Sequence, residues 1–430
     1  MTTGTDQRGL RTKNNRIKAA IKATREKRKG QSCRVYQLKI DKSHLANQTL
    51  THLKTLFLQA KWFVNAAMAS ESIFEFDAKV KAVPVKVGAT YETRLLSLLS
   101  SQMKQALLNQ VHQDIRNLAR KKAKGHKVGR LKFKKYVRTI PLKQYENTYQ
   151  VQWPHRIRIQ GLKPWLRVRG LDQIPPEAEL ANAKLLTKHG DFFVHVVTFV
   201  PKEVKQVPPQ AVGIDFGIKH QLTLSNTIQL DYEIPVPKRL RRLYQRLAKK
   251  QPGSQNYWKV LQALQKAFAT WTNRKRDVTN KLTSLFTSQY QYICFQDDPI
   301  AHWQRLWGRH ILNTNLGALI TNLKTRSVTP CLVDQWTATT KRCSQCGFVL
   351  QDSITLSQRV FTCPACGYTA GRDVNAARCI EQLGLTLLSQ FAELPTGRRN
   401  VKPRETSTAT QTLMDLFNRV SFVRASLVNE

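Results

Sequence analysis

The chain has 430 residues, and its 70 lysines and arginines against 28 aspartates and glutamates give a formal net charge of +42 at pH 7. Such an excess weakens a compact state by self-repulsion, so the composition favours a polyanionic partner, above all nucleic acid. A membrane surface is the alternative polyanionic partner. However, no segment approaches the roughly 18 apolar residues of a membrane span and residues 1–30 are polar and basic, so we expect neither a span nor a signal peptide.

The N-terminal half is predicted to begin with a basic arm over residues 1–32, since such blocks of cations are commonly disordered until they meet nucleic acid. Alternating apolar residues predict a strand over 34–40. From residue 43 onward, apolar residues recur at spacings of three and four, which predicts two or more packed helices. Short β-like runs follow. We therefore expect a small β-barrel over 33–42 and 126–207, with 43–125 as an inserted helical lobe.

The densest run of positive charge is 116–138, which holds no acidic residue. Phe133 and Tyr136 interleave with its cations, and such aromatic rings can stack on bases while the cations follow phosphates. The alternative interpretation is a solvated face. The nucleic-acid-binding candidates in this run are Arg116, Lys121, Lys122, Lys124, Lys127, Arg130, Lys132, Lys134 and Lys135. Trp303 joins them from a segment of mixed aromatic and basic residues, for which a buried helix face is the alternative.

The C-terminal half is predicted to form a second α/β domain after the proline-rich segment 206–210. Residues 211–217 form an apolar strand and 292–295 another. Between these strands, 237–276 is basic and helical. Beyond residue 381 the sequence becomes loop-like, so 386–430 is predicted to be a tail with one amphipathic helix or no fixed structure.

Two Cys-x-x-Cys pairs near the C-terminus predict a metal site. Cys343 and Cys346 form the first pair, and Cys363 and Cys366 follow about 16 residues later. This spacing suits a tetrahedral Zn²⁺ site, and four thiolates leave no open coordination position, so a structural role is expected. The other four cysteines are scattered and give no disulfide framework, which favours a reducing, cytoplasmic compartment.

Three aspartates are candidates for a second metal centre. Asp215 and Asp298 lie at or just beyond the ends of the two apolar strands, and Asp373 follows the second cysteine pair. A single aspartate at a strand end is usually a turn or helix cap. Three of them beside a zinc site in so basic a chain favour binding of Mg²⁺ ions, which can act on a phosphate in pairs about 3.5–4 Å apart.

With these motifs the chain resembles the TnpB family of transposon-encoded RNA-guided nucleases, to which the miniature type V CRISPR effectors are related. Residues 213–217 match the family's first RuvC motif, the two cysteine pairs match its zinc ribbon, and 372–377 match its third RuvC motif. Residues 129–135 resemble its Gly-x-Pro-x-Phe-Lys segment, with Leu131 in place of proline, and 62–66 resemble its early helix. The resemblance covers about residues 33–381.

The resemblance implies a multidomain α/β protein. An RNase H-like RuvC domain would occupy 208–338 and 369–385, a zinc ribbon 339–368, and the β-barrel would be the wedge domain carrying the helical recognition lobe. The family also implies a bound guide RNA that pairs with target double-stranded DNA, while the protein reads a short flanking motif. Lys341, just before the first cysteine pair, would hold a phosphate near the metals. The chain is short for enclosing a heteroduplex, which leaves a homodimer open.

One position departs from the family pattern. Gln296 stands where the family's middle catalytic glutamate is expected, and a neutral amide is a poor Mg²⁺ ligand. Side chains two apart on a strand share a face, so Asp298 projects on the side of Gln296, about 6–7 Å further along. Pro299 favours a break there that would turn Asp298 inward, whereas Asp297 points to the opposite face.

Two functions therefore stay open at the level of sequence. The first is a metal-dependent RNA-guided DNA endonuclease in which Asp215, Asp298 and Asp373 form a rearranged site. The second is an RNA-guided DNA binder without nuclease activity that represses or recruits partner proteins. A transposase that itself joins DNA strands fits the resemblance less well.

Overall fold

A computed structural model describes residues 4–129, 131–202, 206–352, 354–355, 357–391 and 408–428. The chain divides into two compact units, Met1–Val204 and Lys205–Glu430. The division falls directly before the proline-rich segment that the sequence marks as a linker. Within the described ranges, no helix is both long and apolar enough to cross a membrane.

Unit 1 combines three helices with two sheets. In chain order its elements are α1 (Gly4–Lys29), β1 (Gln31–Ile40), α2 (Asn47–Ala69), β2 (Ala82–Val87), β3 (Thr90–Leu95), α3 (Ser101–Ala123), β4 (Thr139–Leu142), β5 (Tyr149–Gln152), β6 (Arg156–Ile159), β7 (Leu166–Arg169), β8 (Glu179–Lys188) and β9 (Asp191–Pro201). Seven strands form one nearly closed, barrel-like sheet in the order β4-β8-β9-β1-β7-β6-β5. The predicted small barrel is thereby confirmed.

The helices of unit 1 pack on this sheet through one shared core. Leu53 on α2 and Met103 on α3 are fully buried in the same cluster as Leu38 on β1 and Ile140 on β4. The apolar residues of α2 and α3 recur at helical spacing and those of β1 and β9 alternate, so each element turns one apolar face inward. The inserted helices and the barrel therefore stabilise each other.

Two parts of unit 1 differ from the sequence-based expectation. The helical pattern predicted over 43–125 is interrupted by the β2–β3 hairpin, where Val83, Val85 and Val87 alternate before Gly88, whose φ is +62°. The β-branched residues and the glycine turn favour a hairpin there over a helix. The basic arm is helical over Gly4–Lys29 rather than without structure, because its many lysines, arginines and alanines are good helix formers.

Unit 2 is built on a single six-stranded sheet. Its elements are β10 (Ala211–Phe216), β11 (Leu222–Leu224), β12 (Ile228–Tyr232), α4 (Lys238–Ala248), α5 (Gln255–Gln289), β13 (Tyr292–Gln296), α6 (Ile300–Thr314), α7 (Leu316–Arg326), β14 (Thr329–Val333), β15 (Val360–Thr362), β16 (Thr369–Gly371), α8 (Arg372–Phe391), α9 (Thr408–Asn418) and β17 (Val423–Leu427). The strand order is β14-β13-β10-β11-β12-β17. Strands β10, β13 and β14 are parallel, whereas β10, β11, β12 and β17 pair antiparallel.

Alternate residues of the parallel strands face different helices. Ile214 and Phe295 point into the core that α5 and α7 cover. Cys294 and Cys331 point to the other face, where they pack against Ile380 of α8. Because side chains alternate along a strand, Asp215 of β10 and Gln296 of β13 project on the α8 side of the sheet. Both polar side chains therefore lie on the face of the sheet against which α8 packs.

Two glycines allow α8 to approach the sheet closely. A Cβ atom on Gly213 of β10 would lie 2.0 Å from the carbonyl oxygen of Ala377 in α8. A Cβ atom on Gly384 of α8 would lie 2.8 Å from the Cys294 sulfur on β13. Only glycine fits at either position without moving the helix.

The described part of the C-terminal segment is not a tail. Strand β17 pairs with β12 along Ile228–Tyr232 and extends the sheet at its edge. Phe417 of α9 is fully buried and its ring lies 5.2 Å from that of Phe286 on α5. The predicted tail over 386–430 is therefore corrected for 408–428, where apolar residues too few to stand out in sequence complete the core of unit 2.

We predict that Gly213→Ala destabilises unit 2 by about 2 kcal/mol, because the added methyl group overlaps the backbone of α8. In thermal unfolding the midpoint should fall by about 4–8 °C. Gly308→Ala is the matched control, since a Cβ atom there meets nothing within 4 Å, and its midpoint should stay unchanged or rise slightly. Equal midpoints for the two variants would contradict the proposed close packing.

Candidate metal centres

Three aspartates lie at one edge of the sheet of unit 2. Asp215 is the fifth residue of β10, and Asp298 follows the last residue of β13 by two positions. These strands are parallel neighbours with Ile214 opposite Phe295, so their carboxyl ends meet at the same edge. Asp373 is the second residue of α8, which packs on both strands. Residues far apart in sequence are thereby brought to one place.

The electrostatics of Asp215 reflect this proximity. The pKa of Asp215 is raised well above its usual value, first by burial and then by the negative charges of Asp373 and Asp298, while the Arg372 guanidinium opposes the shift. The pKa of Asp298 is raised to about 6 by burial and by the charge of Asp297. Enclosed carboxylates that repel one another are the expected environment of a divalent cation.

Strand β13 ends just before Asp298, as the sequence predicted. The Asp297 N–H donates to the Val333 carbonyl at 2.9 Å, which adds one bond beyond β13, and α6 then begins at Ile300. The Asp297 side chain is exposed and contacts Lys324. Among the described residues, no hydrogen bond or ion pair engages the partly buried Asp298 carboxylate, so both of its oxygens are free to bind a cation.

Gln296 is engaged in a different set of contacts. Its Nε2 group donates to the carbonyl oxygens of Asp334 at 3.0 Å, Gln335 at 3.1 Å and Thr337 at 3.0 Å. Its Oε1 atom accepts a hydrogen bond from Thr339 Oγ1 at 3.1 Å. Turning the amide over would place oxygen against three carbonyl oxygens, so these contacts fix its orientation. The Gln296 side chain therefore holds the loop after β14 and is not a metal ligand in this arrangement.

Arg372 orients the third aspartate. Its guanidinium is nearly buried and contacts Asp373 Oδ1 through Nε at 3.1 Å and Nη2 at 3.0 Å. Its Nη1 atom donates to the carbonyls of Thr355 at 3.2 Å and Gln358 at 3.1 Å. On the other oxygen, Arg359 Nη1 lies 4.0 Å from Asp373 Oδ2. The loop between the cysteine pairs and the first turn of α8 are thus joined through Arg372, and Asp373 is held in place.

The two cysteine pairs close into one cluster. Their four sulfur atoms lie within 4.8 Å of one another, with Cys343 Sγ 3.7 Å from Cys366 Sγ and Cys346 Sγ 3.6 Å from Cys363 Sγ. Four sulfurs about 2.3 Å from a tetrahedral zinc ion would be about 3.8 Å apart, so the spacing fits zinc. Across the described residues, no other group of histidine, cysteine or acidic side chains forms so compact a candidate metal site.

Asn375 connects this cluster to α8. Its Nδ2 group donates to the Arg342 carbonyl at 2.7 Å, and its Oδ1 atom accepts from the Ser344 N–H at 2.9 Å. Gln382, two turns further along α8, donates to the Ser344 carbonyl at 2.8 Å. Asn375 has no role that was predicted from the sequence beyond its place in the segment 372–377. The available signal was a polar residue within the apolar run 374–377, which indicates a buried amide with partners.

Most of the predicted nucleic-acid-binding residues lie on an exposed surface of unit 1. Arg116, Lys121 and Lys122 are exposed on α3, and Lys124, Lys127, Lys132, Lys134 and Lys135 follow in the segment before β4, whereas Arg130 lies outside the described residues. Asn65 holds this segment by bonding both the N–H and the carbonyl of Lys134, at 2.8 and 3.0 Å. Phe133 and Tyr136 line a cavity of about 540 Å³ beside it.

The two predicted contacts in unit 2 differ in their environment. Trp303 is half-buried on α6 and packs against the core of the unit. This environment agrees with the alternative interpretation, in which Trp303 belongs to a buried helix face. Lys341 Nζ donates to the Gln351 carbonyl at 3.3 Å beside the cysteine cluster. Neither residue belongs to the basic surface of unit 1.

Comparison with known proteins gives matches in the regions that hold these sites. The family model described as "Cas12f1-like, TNB domain" matches residues 319–380, and the model described as "Probable transposase" (OrfB_IS605) matches 195–296. The first match includes the cysteine cluster and Asp373, and the second includes Asp215 and Gln296.

Two curated bacterial relatives are described as a "Putative RNA-guided DNA endonuclease". A Streptomyces pristinaespiralis protein is 31% identical over 214 residues, covering 45% of this chain and 51% of the relative, so the chain spans about half of its length. InsQ of Escherichia coli K12 is 26% identical over 343 residues, covering 71% of this chain and 80% of the relative.

Among solved structures, a cryo-EM structure of a Cas12f1–sgRNA–target DNA complex aligns with 65% of this chain and 70% of its own. Its TM-score is 0.42 and its sequence identity 16%. The motifs, the two family models and the curated relatives agree that the chain is similar to the TnpB family of transposon-encoded proteins, to which the miniature type V CRISPR effectors are related.

Proposed function

We propose that this protein is an RNA-guided DNA endonuclease that cuts with divalent cations held by Asp215, Asp298 and Asp373. The observation that carries the proposal is geometric: Asp215 and Asp298 lie at the carboxyl ends of two parallel neighbouring strands, and Asp373 lies in the first turn of α8, which packs on both. Two curated relatives bearing that description support the RNA-guided activity. The net charge of +42 suits a protein that binds both a guide RNA and its DNA target.

The fold of unit 2 supports a RuvC-type nuclease domain. Three antiparallel strands, β10 to β12, are followed by the parallel strands β13 and β14, in the sheet order β14-β13-β10-β11-β12. This arrangement of antiparallel and parallel strands is that of an RNase H-like sheet. We assign residues 208–338 and 369–385 to this domain and 339–368 to the zinc ribbon, with the barrel and the α2–α3 helices of unit 1 as the wedge and recognition domains.

The three aspartates fit Mg²⁺ because their carboxylates are hard oxygen donors that the fold brings to one edge of the sheet. Bound there, Mg²⁺ would polarise the target phosphate and activate water. Asp215 would bind the cation from β10, a central strand of the sheet. Arg372 would keep Oδ1 of Asp373 fixed, while Oδ2, which Arg359 Nη1 approaches only to 4.0 Å, would bind the cation. Asp298 would bind from the strand end, where no competing partner engages it among the described residues.

The four cysteines fit Zn²⁺ in a structural role, because four sulfurs leave no position for substrate. Zinc bound there would fix both Cys-x-x-Cys turns. Since Asn375 and Gln382 bond to the first of these turns, the bound metal would hold the beginning of α8, and with it Asp373, against the sheet.

Gln296 is the observation that motivates the second candidate, an RNA-guided binder without nuclease activity. The structure does not favour it, because the Gln296 amide is engaged by the loop after β14, while no described residue forms a hydrogen bond or ion pair with the Asp298 carboxylate. We therefore place the middle acid at Asp298. As partners we propose a guide RNA and target double-stranded DNA in the bacterial cytoplasm, whereas a homodimer stays a prediction from chain length.

We predict that Asp298→Ala lowers guide-dependent cleavage of matched DNA by at least about 100-fold, since it removes a metal ligand. The measurement uses protein purified with its co-expressed RNA, matched DNA and Mg²⁺. Guide-dependent DNA binding should stay unchanged. Asp297→Asn, a change at the exposed neighbour, should cleave like the unmodified protein. Tight guide-dependent binding without any cleavage by the unmodified protein would contradict the nuclease proposal.

Restoring the family's glutamate should not raise activity. Gln296→Glu removes the N–H donors that satisfy three carbonyl oxygens and places a negative charge against them, which we expect to cost about 2 kcal/mol of unfolding free energy. Cleavage and the thermal midpoint should both fall. Gln296→Ala, which lacks the added charge, should retain measurable cleavage with an unchanged Mg²⁺ dependence. A faster Gln296→Glu enzyme would show that position 296 is a metal-ligand position.

Metal analysis should find about one zinc ion per chain. Cys363→Ser should lose this zinc, unfold at lower temperature and cleave poorly, because the anchor of α8 is lost. Cys33→Ser changes an exposed cysteine outside the cluster and should retain the metal and the activity. Zinc-free protein with full stability would refute the assignment.

A further inference from the structure

Trp336 is the most exposed large apolar side chain among the described residues. Its side chain is 85% exposed, although tryptophan is usually well buried. It lies in the turn 334–339 that follows β14. The two preceding side chains, Asp334 and Gln335, are exposed and polar, so Trp336 does not follow from an apolar run within its turn.

The backbone beneath this ring is held firmly. The Trp336 N–H donates to Asp334 Oδ1 at 2.8 Å, and the Thr337 N–H donates to the Asp334 carbonyl at 3.1 Å. Gln296 bonds three carbonyls of the same turn, and Thr339, whose side chain is buried, bonds Gln296 in return. The exposure of Trp336 is therefore a property of an ordered turn, and a partner that binds the ring need not first order the backbone.

The turn is next to the candidate Mg²⁺ site. Val333, the last residue of β14, pairs with Gln296, and its carbonyl accepts the Asp297 N–H. Asp298 is the next residue. The strand end that would carry a metal ligand and the turn that carries Trp336 thus leave the same edge of the sheet on neighbouring strands. One side chain, Gln296, connects them.

We propose that Trp336 stacks on a nucleobase of the unpaired DNA strand whose phosphate is bound at Asp215, Asp298 and Asp373. This inference rests on the proposed function and adds a binding residue to it. A planar ring as exposed as that of Trp336 can stack on any base, which suits a nuclease that must accept every target sequence. The strong positive charge of the chain favours a nucleic-acid occupant over a protein. In this arrangement Gln296 is a positioning residue, because it bonds three carbonyl oxygens of the turn that carries the ring.

The test compares Trp336→Ala, Trp336→Phe and the control Trp258→Ala, which removes a half-exposed tryptophan from α5. Stacking on one base contributes about 1–3 kcal/mol, so Trp336→Ala should slow cleavage of saturating matched DNA by about 10-fold. Trp336→Phe should recover most of the rate, because it retains an aromatic ring. Guide-dependent DNA affinity and thermal stability should be the same for all three variants. Equal rates for Trp336→Ala and the unmodified protein, or no recovery by Trp336→Phe, would overturn the inference.

A second measurement separates this inference from the proposed function. Adding a single-stranded thymidine oligonucleotide to the RNA-bound protein should quench tryptophan fluorescence, and Trp336→Phe should lose part of that quenching while Trp258→Phe retains it. If the unmodified protein does not cleave, the proposed function fails, and this quenching alone decides whether Trp336 binds a base. Identical quenching in Trp336→Phe and the unmodified protein would overturn the stacking role.

Discussion

The close packing of α8 against β10 is the contact on which the candidate site depends. Gly213 lets the helix backbone approach the central strand, and Gly384 does the same opposite Cys294. Arg372 and Asn375 then fasten the first turn of α8 to the cysteine cluster and the loop between its pairs. Asp373 is consequently placed by the sheet on one side and by the cluster on the other. A metal held by the four cysteines would therefore bear on the geometry of a candidate catalytic residue.

Under the proposed function, two tasks are divided between the neighbouring residues Gln296 and Asp298. Gln296 fills the place of the family's glutamate in sequence, but its amide supplies donors that a carboxylate lacks, and these hold the loop after β14. Asp298 lies beyond the strand end, partly buried, with a pKa raised to about 6. Moving the acid two residues along the chain keeps it on the same side of the strand. Position 296 can then be a glutamine, whose amide holds the turn that contains Trp336.

The sequence was sufficient for the parts of the site that depend on fixed spacing or strong periodicity. The cysteine pairs, the strand carrying Asp215 and the break after Asp298 were all predicted, because metal geometry, alternation and proline each leave a local signature. The hairpin at 82–95 and the strand Val423–Leu427 were missed, since short segments become stable only through tertiary partners. The contacts of Gln296 were also beyond reach, because its acceptors lie some 40 residues later and nothing local identifies them.

The central claim is that Asp215, Asp298 and Asp373 together bind the catalytic cation. It is tested most directly by an anomalous-diffraction map of crystals soaked in Mn²⁺, a cation with ligand preferences close to those of Mg²⁺. We predict a peak in contact with the carboxylate oxygens of all three aspartates, with the Gln296 amide still bonded to the turn after β14. A peak coordinated by Gln296 Oε1, or a metal bound without Asp298, would contradict the account.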